Sequence, residues 1–136
     1  MSLPFDRHAE MSTEVAFDLQ EITSDTATVG EIIDIQGFRS LEFIFQSGTL
    51  TDGAYVVSLE HGDDSGLSDT AAVPADNILG DLPSFALADD DVTKRVGTNS
   101  KKRYFRATVT SSATTSGGFM SGVAVLGHAA SIPTAD

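Results

Sequence analysis

The sequence lacks cysteine and tryptophan entirely, and its 136 residues include only two tyrosines and four prolines. Without cysteine, the chain cannot form a disulfide, a cysteine-ligated zinc site or a thiol nucleophile. A domain of this length buries roughly two-thirds of the surface that its unfolded chain exposes, so its core can be stable without such links. Length and composition predict a single domain over residues 1–136.

Long apolar runs are missing as well. The longest nearly apolar stretch, GVAVLGHAA, is far shorter than the roughly 20 residues of a membrane-spanning helix. The N-terminal segment MSLPFDRHAEMSTE has no apolar core of the kind that a signal peptide requires. We therefore expect no membrane partner.

Positive charge is scarce and unevenly distributed. The formal net charge is −12, with eight Lys and Arg residues against twenty Asp and Glu residues. Residues 1–91 contain nineteen acidic and two basic residues, whereas residues 92–136 contain one acidic and six basic residues. Because an overall negative field repels phosphate backbones, we expect no direct nucleic-acid partner.

The basic residues of the C-terminal part cluster in the stretch TKRVGTNSKKRYFRATV. They are Lys94, Arg95, Lys101, Lys102, Arg103 and Arg106. Two alternating runs separated by the turn TNS predict a strand hairpin with a basic tip. Alternation places Phe105, Ala107 and Val109 of this stretch in the core. The six cations are either a patch that docks on an acidic surface or a solvated hairpin tip, and a single-stranded nucleic-acid site is disfavoured.

Strand-like alternation recurs along the chain, whereas helical spacing does not persist beyond about ten residues. TEVAFDLQ places Val15, Phe17 and Leu19 on one face of a strand. SLEFIFQSG and GAYVVSLEHG are two further strands, and the intervening SGTLTDG predicts a hairpin turn. The turn-rich middle of the chain predicts one helical turn at ADNILG and a short strand near Phe85.

These runs predict an all-β protein with seven or eight strands. One apolar side per strand is what two packed antiparallel sheets require, so we expect a β-sandwich that is jelly-roll-like. Residues 1–12 and 128–136 lack periodicity and are predicted to be extended or flexible arms. Candidate contacts of these arms with a partner are Phe5, Arg7 and Ile132.

Two acidic clusters contain the carboxylates that a cation site would need. HGDDSGLSD contains Asp63, Asp64 and Asp69, but it lacks the spacing of an EF-hand calcium loop. Asp and Ser also begin turns through local hydrogen bonds, and this interpretation is favoured over a Ca²⁺ site. ALADDDV contains three adjacent carboxylates, which cannot all face one site on an extended chain, so a solvated loop is expected.

Catalytic motifs are not apparent. The three histidines, His8, His61 and His128, are isolated in the sequence and follow no metal-binding spacing. No G-x-S-x-G turn or phosphate-binding loop is present. We therefore predict a protein that is not an enzyme, with no catalytic residue, cofactor or metal site.

Five short elements occur in order between residues 40 and 130: a strand ending in QSG, a TDG turn, a DDS loop, a KRY.R strand and a terminal GG…AVLGH strand. In this order they resemble the cement or decoration proteins of tailed-bacteriophage capsids. The resemblance implies a jelly-roll-like homodimer on the outer surface of an icosahedral head, where it bridges neighbouring major capsid proteins. It also implies assembly in the host cytoplasm.

The strand pattern is also compatible with a second functional class. A phage tail or host-recognition β-sandwich that binds a glycan has a similar strand pattern. Sugar sites usually present exposed aromatic rings, and this chain has no tryptophan and two tyrosines.

Overall fold

Two antiparallel sheets face each other in the computed structural model, which describes residues 7–129. The strands are β1 (Ser12–Ile22), β2 (Ala27–Val29), β3 (Ile33–Asp34), β4 (Ser40–Leu50), β5 (Ala54–Gly62), β6 (Ala71–Ala72), β7 (Ile78–Leu79), β8 (Ser84–Phe85), β9 (Thr93–Thr98), β10 (Tyr104–Ser112) and β11 (Gly118–Gly127). Short 3-10 helices occupy His8–Glu10 and Ala75–Asn77. The all-β sandwich is therefore confirmed. No helix within residues 7–129 has the length and apolarity to cross a bilayer.

The strand order is that of a jelly roll. Sheet 1 runs β1-β11-β4-β9-β7, and sheet 2 runs β2-β10-β5-β6, with β3 beside β10 and β8 beside β5. The chain passes repeatedly between the sheets: β1 of sheet 1 is followed by the short β2 and β3 of sheet 2, β4 and β5 lie in opposite sheets, and so do β9 and β10 and then β10 and β11. The first and last strands are neighbours. This interleaving of early and late strands in both sheets is the jelly-roll arrangement that alternation suggested.

The described residues form more strands than the seven or eight predicted, because several segments contribute strands of only two or three residues. Between β2 and β3, Gly30 N donates to Ala107 O at 2.8 Å, and Glu31 N donates to Ala16 O at 2.9 Å. A Cβ on residue 30 would lie 2.9 Å from Ala107 O and closer still to Ala16 O. Glycine at this position therefore lets the chain bridge the edges of the two sheets.

The two predicted hairpins are wrong. β4 and β5, which flank the TDG turn, belong to different sheets, and so do β9 and β10, which flank TNS. Both turns cross from one sheet to the other instead of joining paired strands. Short turns between alternating runs resemble hairpins in sequence, but a jelly roll sends consecutive strands to opposite sheets.

The face prediction for β1 is correct only for Phe17. Ala16 and Phe17 are both buried, whereas Val15 and Leu19 are exposed. Register shifts against β11 lie between Val15 and Phe17 and between Phe17 and Gln20. Such bulges break the two-residue period, so the apolar side chains on either side of Phe17 turn outward.

The core lies between the sheets and is rich in aromatic rings. The odd-numbered residues of β10 that alternation placed inside are all fully buried. Phe45 of β4 packs on Phe17 of β1 with ring centroids 6.3 Å apart. Phe85 is also fully buried in β8, and the turn predicted at ADNILG is the second 3-10 helix. These contacts confirm the main elements predicted between β4 and β11.

Candidate functional site

The basic loop between β9 and β10 is held by acids of the same chain. Arg103 donates from Nε to Asp34 Oδ1 and from Nη2 to Asp34 Oδ2, each at 2.9 Å. Its guanidinium also lies 4.9 Å from the centre of the Tyr104 ring. The hydrogen bonds from Arg103 hold the pKa of Asp34 below its usual value. This forked pair fastens the loop to β3 in sheet 2.

The next two cations are paired as well. Lys102 Nζ lies 2.9 Å from Asp63 Oδ2, and this hydrogen bond raises the pKa of Lys102. Arg106 pairs with Glu60 on the outer side of sheet 2, where both side chains are about three-quarters buried. The described residues give Lys101 no ion pair.

The remaining two cations lie on sheet 1, near the beginning of β9. Lys94 Nζ donates to Ser84 O at 2.6 Å and lies 3.5 Å from an oxygen of Asp89. Arg95 Nη1 lies 3.1 Å from Glu42 Oε2 on the neighbouring strand. The predicted docking patch is therefore spread over both sheets, and five of its six cations are balanced by acids of the chain itself. Its role in docking stays a prediction.

The first acidic loop uses its carboxylates to hold its own backbone. Asp69 accepts the N–H groups of Asp63 at 2.9 Å and Asp64 at 3.2 Å. Asp64 Oδ2 accepts those of Ser68 at 3.2 Å and Gly66 at 2.9 Å, and these bonds lower the pKa of Asp64. No cluster of three potential metal ligands occurs in the part of the chain that the structure describes. The geometry is that of a turn.

The second acidic cluster is a loop anchored to β4. Asp89 Oδ2 accepts Ala86 N at 2.8 Å, and Asp90 Oδ1 accepts Leu50 N at 2.9 Å. As expected from their adjacency, these carboxylates do not share one site. The loop is not merely solvated, however, because each of these two carboxylates caps a backbone N–H group.

Of the three histidines, which all lie within the described residues, only His61 is buried. Its Nδ1 lies 2.6 Å from Ser100 Oγ, and its ring meets Phe105 edge to face. Burial, followed by the nearby Lys102 charge, lowers the pKa of His61. His128 is exposed, and its Nδ1 lies 3.1 Å from Ser40 Oγ. His61 belongs to β5 of sheet 2, whereas His128 follows β11 of sheet 1.

The stability of the fold is expected to decrease as the pH falls below the ordinary histidine pKa of 6.5. The unfolded chain then binds a proton on His61 before the folded chain does, so protonation favours unfolding until the pH passes the folded pKa. Urea midpoints measured between pH 7.5 and 5 should show this slope, and His61→Gln should remove it. The lowered pKa values of aspartates such as Asp34 act in a separate window, below 3.8. Equal slopes in both proteins would contradict the assignment to His61.

A feature that sequence reasoning missed is the apolar outer surface of sheet 1. Val15 faces Val123 across β1 and β11, and Val123 faces Ile44 across β11 and β4. Leu19 and Phe119 are exposed on the same strand pair. The alternation of apolar residues with acids along β1 predicts the reverse, with the apolar residues inside, so β1 carried no signal for this surface.

A recess of about 340 Å³ lies beside this surface. Its lining includes Arg7 and Met11 from the N-terminal segment together with Ile44 and Val125 from sheet 1. Of the predicted arm contacts, Arg7 therefore borders the outer surface of sheet 1. Phe5 and Ile132 lie outside the described residues.

No protein-family model and no curated protein matches the sequence. Among solved structures, the SPBc2 prophage-derived protein YomS superimposes with a TM-score of 0.45 and 13% identity, over 85% of this chain and 93% of that chain. A structure of infectious bursal disease virus, Gx strain, gives a TM-score of 0.49 and 16% identity, over 90% of this chain and 34% of that chain. This chain therefore spans about a third of the matched viral chain. Similarity at these levels supports no functional conclusion.

Proposed function

We propose that this chain is a capsid cement protein of a tailed bacteriophage. As a homodimer on the outside of an icosahedral head, it bridges neighbouring major capsid proteins and stabilises the shell. One observation carries the proposal: the five sequence elements that resemble phage cement proteins contain the residues that fasten the turns and sheets of this sandwich to one another.

The QSG and TDG elements each hold a distant segment. Ser47 exchanges hydrogen bonds with Val92, since Ser47 N donates to Val92 O at 2.9 Å and Val92 N donates to Ser47 Oγ at 3.0 Å. Asp52 accepts the N–H groups of Ser116, Gly117 and Thr115 at 2.9 to 3.1 Å. The first element ties the acidic loop to β4, and the second ties two inter-sheet turns together.

The other three elements act in the same way. The DDS loop is closed by its own carboxylates and paired with Lys102. The KRY.R element supplies Arg103 and Arg106, which bind acids on β3 and β5. The GG…AVLGH element is β11, which lies between β1 and β4 and begins at the close-packed Gly118. The residues of these five elements thus stiffen the sandwich.

Stiffness is what a clamp across subunit boundaries requires. A rigid body that contacts two neighbours makes the second contact at a high effective concentration, so weak interfaces act together. The acidic surface of the chain favours partners with basic surfaces, because complementary charge fixes orientation and speeds encounter.

Purified virions of the encoding phage should contain this protein in a copy number comparable to that of the major capsid protein. Quantitative mass spectrometry of particles measures this ratio, and treatment with a protease should remove the protein from intact heads because it lies outside. A few copies per particle would contradict the proposal. Location on the tail together with binding on a glycan array would favour the glycan-binding alternative.

A further inference from the structure

The outer surface of sheet 1 carries exposed apolar side chains on β1 and β11. The exposed fractions are 54% for Val15, 74% for Leu19, 42% for Phe119 and 41% for Val123. Val15, Val123 and Ile44 are direct cross-strand neighbours on three successive strands. We refer to Val15, Leu19, Phe119 and Val123 as the apolar face. Contiguous exposed apolar side chains of this kind mark interaction surfaces more often than scattered ones do.

Sheet 2 has a different outer surface. Its two exposed valines are separated from one another by polar residues: Val29 faces Thr108, and Val56 faces Thr110. Their exposed fractions, 57% and 46%, match those of Val15 and Val123. Sheet 2 thus exposes its valines singly, whereas sheet 1 exposes similar valines side by side. This difference provides an internal control.

An acidic border runs along β1, the edge strand of sheet 1, where Glu21 lies directly opposite Phe119 of the apolar face. Glu14, Asp18 and Glu21 are exposed, and none of them forms an ion pair with another described residue. If two copies paired along this edge, these like charges would face each other and destabilise the contact. The charges therefore oppose a second copy at this edge and favour a basic partner.

We propose that the apolar face and its acidic border bind a segment of the major capsid protein that combines apolar side chains with Lys or Arg. This inference rests on the proposed function and names the surface and the partner chemistry that the function uses. Apolar contact supplies the affinity, because exposed side chains leave water on binding. The unpaired carboxylates set orientation by meeting the cations of that segment. The proposed dimer then uses another surface.

The test is binding of the full chain to particles that the encoding phage assembles without it, measured by cosedimentation. The double variant Val15→Ser/Val123→Ser is compared with Val29→Ser/Val56→Ser, which removes the same atoms from sheet 2. We expect the first pair to weaken binding by on the order of 10- to 100-fold, as truncation of central interface residues does, and the control by less than about threefold.

A second comparison tests the charges. Asp18→Lys/Glu21→Lys and Asp76→Lys/Asp81→Lys change the net charge equally, and all four side chains are exposed. The β1 pair should weaken binding more than the loop pair, and the difference should shrink as salt is raised. Because the substituted side chains are all exposed, these variants test the surface even if the valine variant folds poorly. The melting temperature of each free protein shows whether it is folded.

The outcomes are distinguishable. If the wild-type chain does not bind particles, both the proposed function and this inference fail. If it binds, and Val15→Ser/Val123→Ser and Asp18→Lys/Glu21→Lys both bind like their controls, the inference alone is overturned. If sedimentation shows that Val15→Ser/Val123→Ser converts a dimer to a monomer while Val29→Ser/Val56→Ser does not, the occupant is a second copy and the inference is overturned.

Discussion

Replacing Gly117 with alanine is expected to lower the free energy of unfolding by about 3 kcal/mol or more. Gly117 has a φ of +90°, a backbone conformation that residues with a Cβ adopt only under strain. An added Cβ would also lie 2.8 Å from the Ile22 carbonyl carbon and overlap its oxygen. Since both groups belong to backbone held between β1 and β11, neither can move without disturbing strand pairing.

Two other glycines separate the steric cost from the conformational one. Gly37 and Gly80 have φ values of +92° and +88°, yet nothing lies within 4 Å of the Cβ that alanine would add there. Alanine at either position should cost only about 1–2 kcal/mol. Urea unfolding measures all three variants, with unchanged m-values expected. Equal losses at the three positions would show that the contact with Ile22 is unimportant.

Ser47→Ala should be the next most damaging of these changes, at about 2 kcal/mol. Ser47 is fully buried, its hydroxyl donates to Asp89 O, and it accepts Val92 N at 3.0 Å. Alanine leaves that amide and that carbonyl without their partner, and the cost of a desolvated, unpaired polar group exceeds the net gain of an ordinary hydrogen bond. The acidic loop should then detach from β4.

The matched control is Ser58→Ala on sheet 2. Ser58 is exposed, and its hydroxyl reaches Thr108 O only at 3.5 Å, so its loss should be within about 0.5 kcal/mol. Hydrogen exchange at the Val92 amide should become faster in Ser47→Ala and stay unchanged in the control. Unchanged exchange in both proteins would argue against a fastening role for Ser47.

Alternation predicted the centre of the fold well. β10 lies between strands on both sides in sheet 2 and has no register shift, so its period of two survives along its whole length. Phe105, Ala107 and Val109 are consequently inside, as the sequence indicates. The same reasoning failed on β1, an edge strand with two register shifts against β11. No glycine or proline lies between Val15 and Gln20 to signal these shifts.

The candidate site was less predictable, because its partners are far apart in sequence. Arg103 and Asp34 are separated by 69 positions, and Arg106 and Glu60 by 46. A basic cluster read along the chain looks like a charged patch. Only the sheet order shows that β3 and β5 lie beside β10, where their acids form ion pairs with Arg103 and Arg106.

The pairing of the first and last long strands has a mechanical consequence. Ser12 lies opposite Leu126, so the two ends of the sandwich leave it at one corner. Force that pulls the two chain ends apart would break the hydrogen bonds of the β1–β11 ladder one after another, starting at Ser12 and Leu126. Force applied across the broad surface of sheet 1 would instead load many bonds together. If the chain clamps a phage head as proposed, contact through that surface therefore restrains a swelling shell better than contact through the ends of the chain.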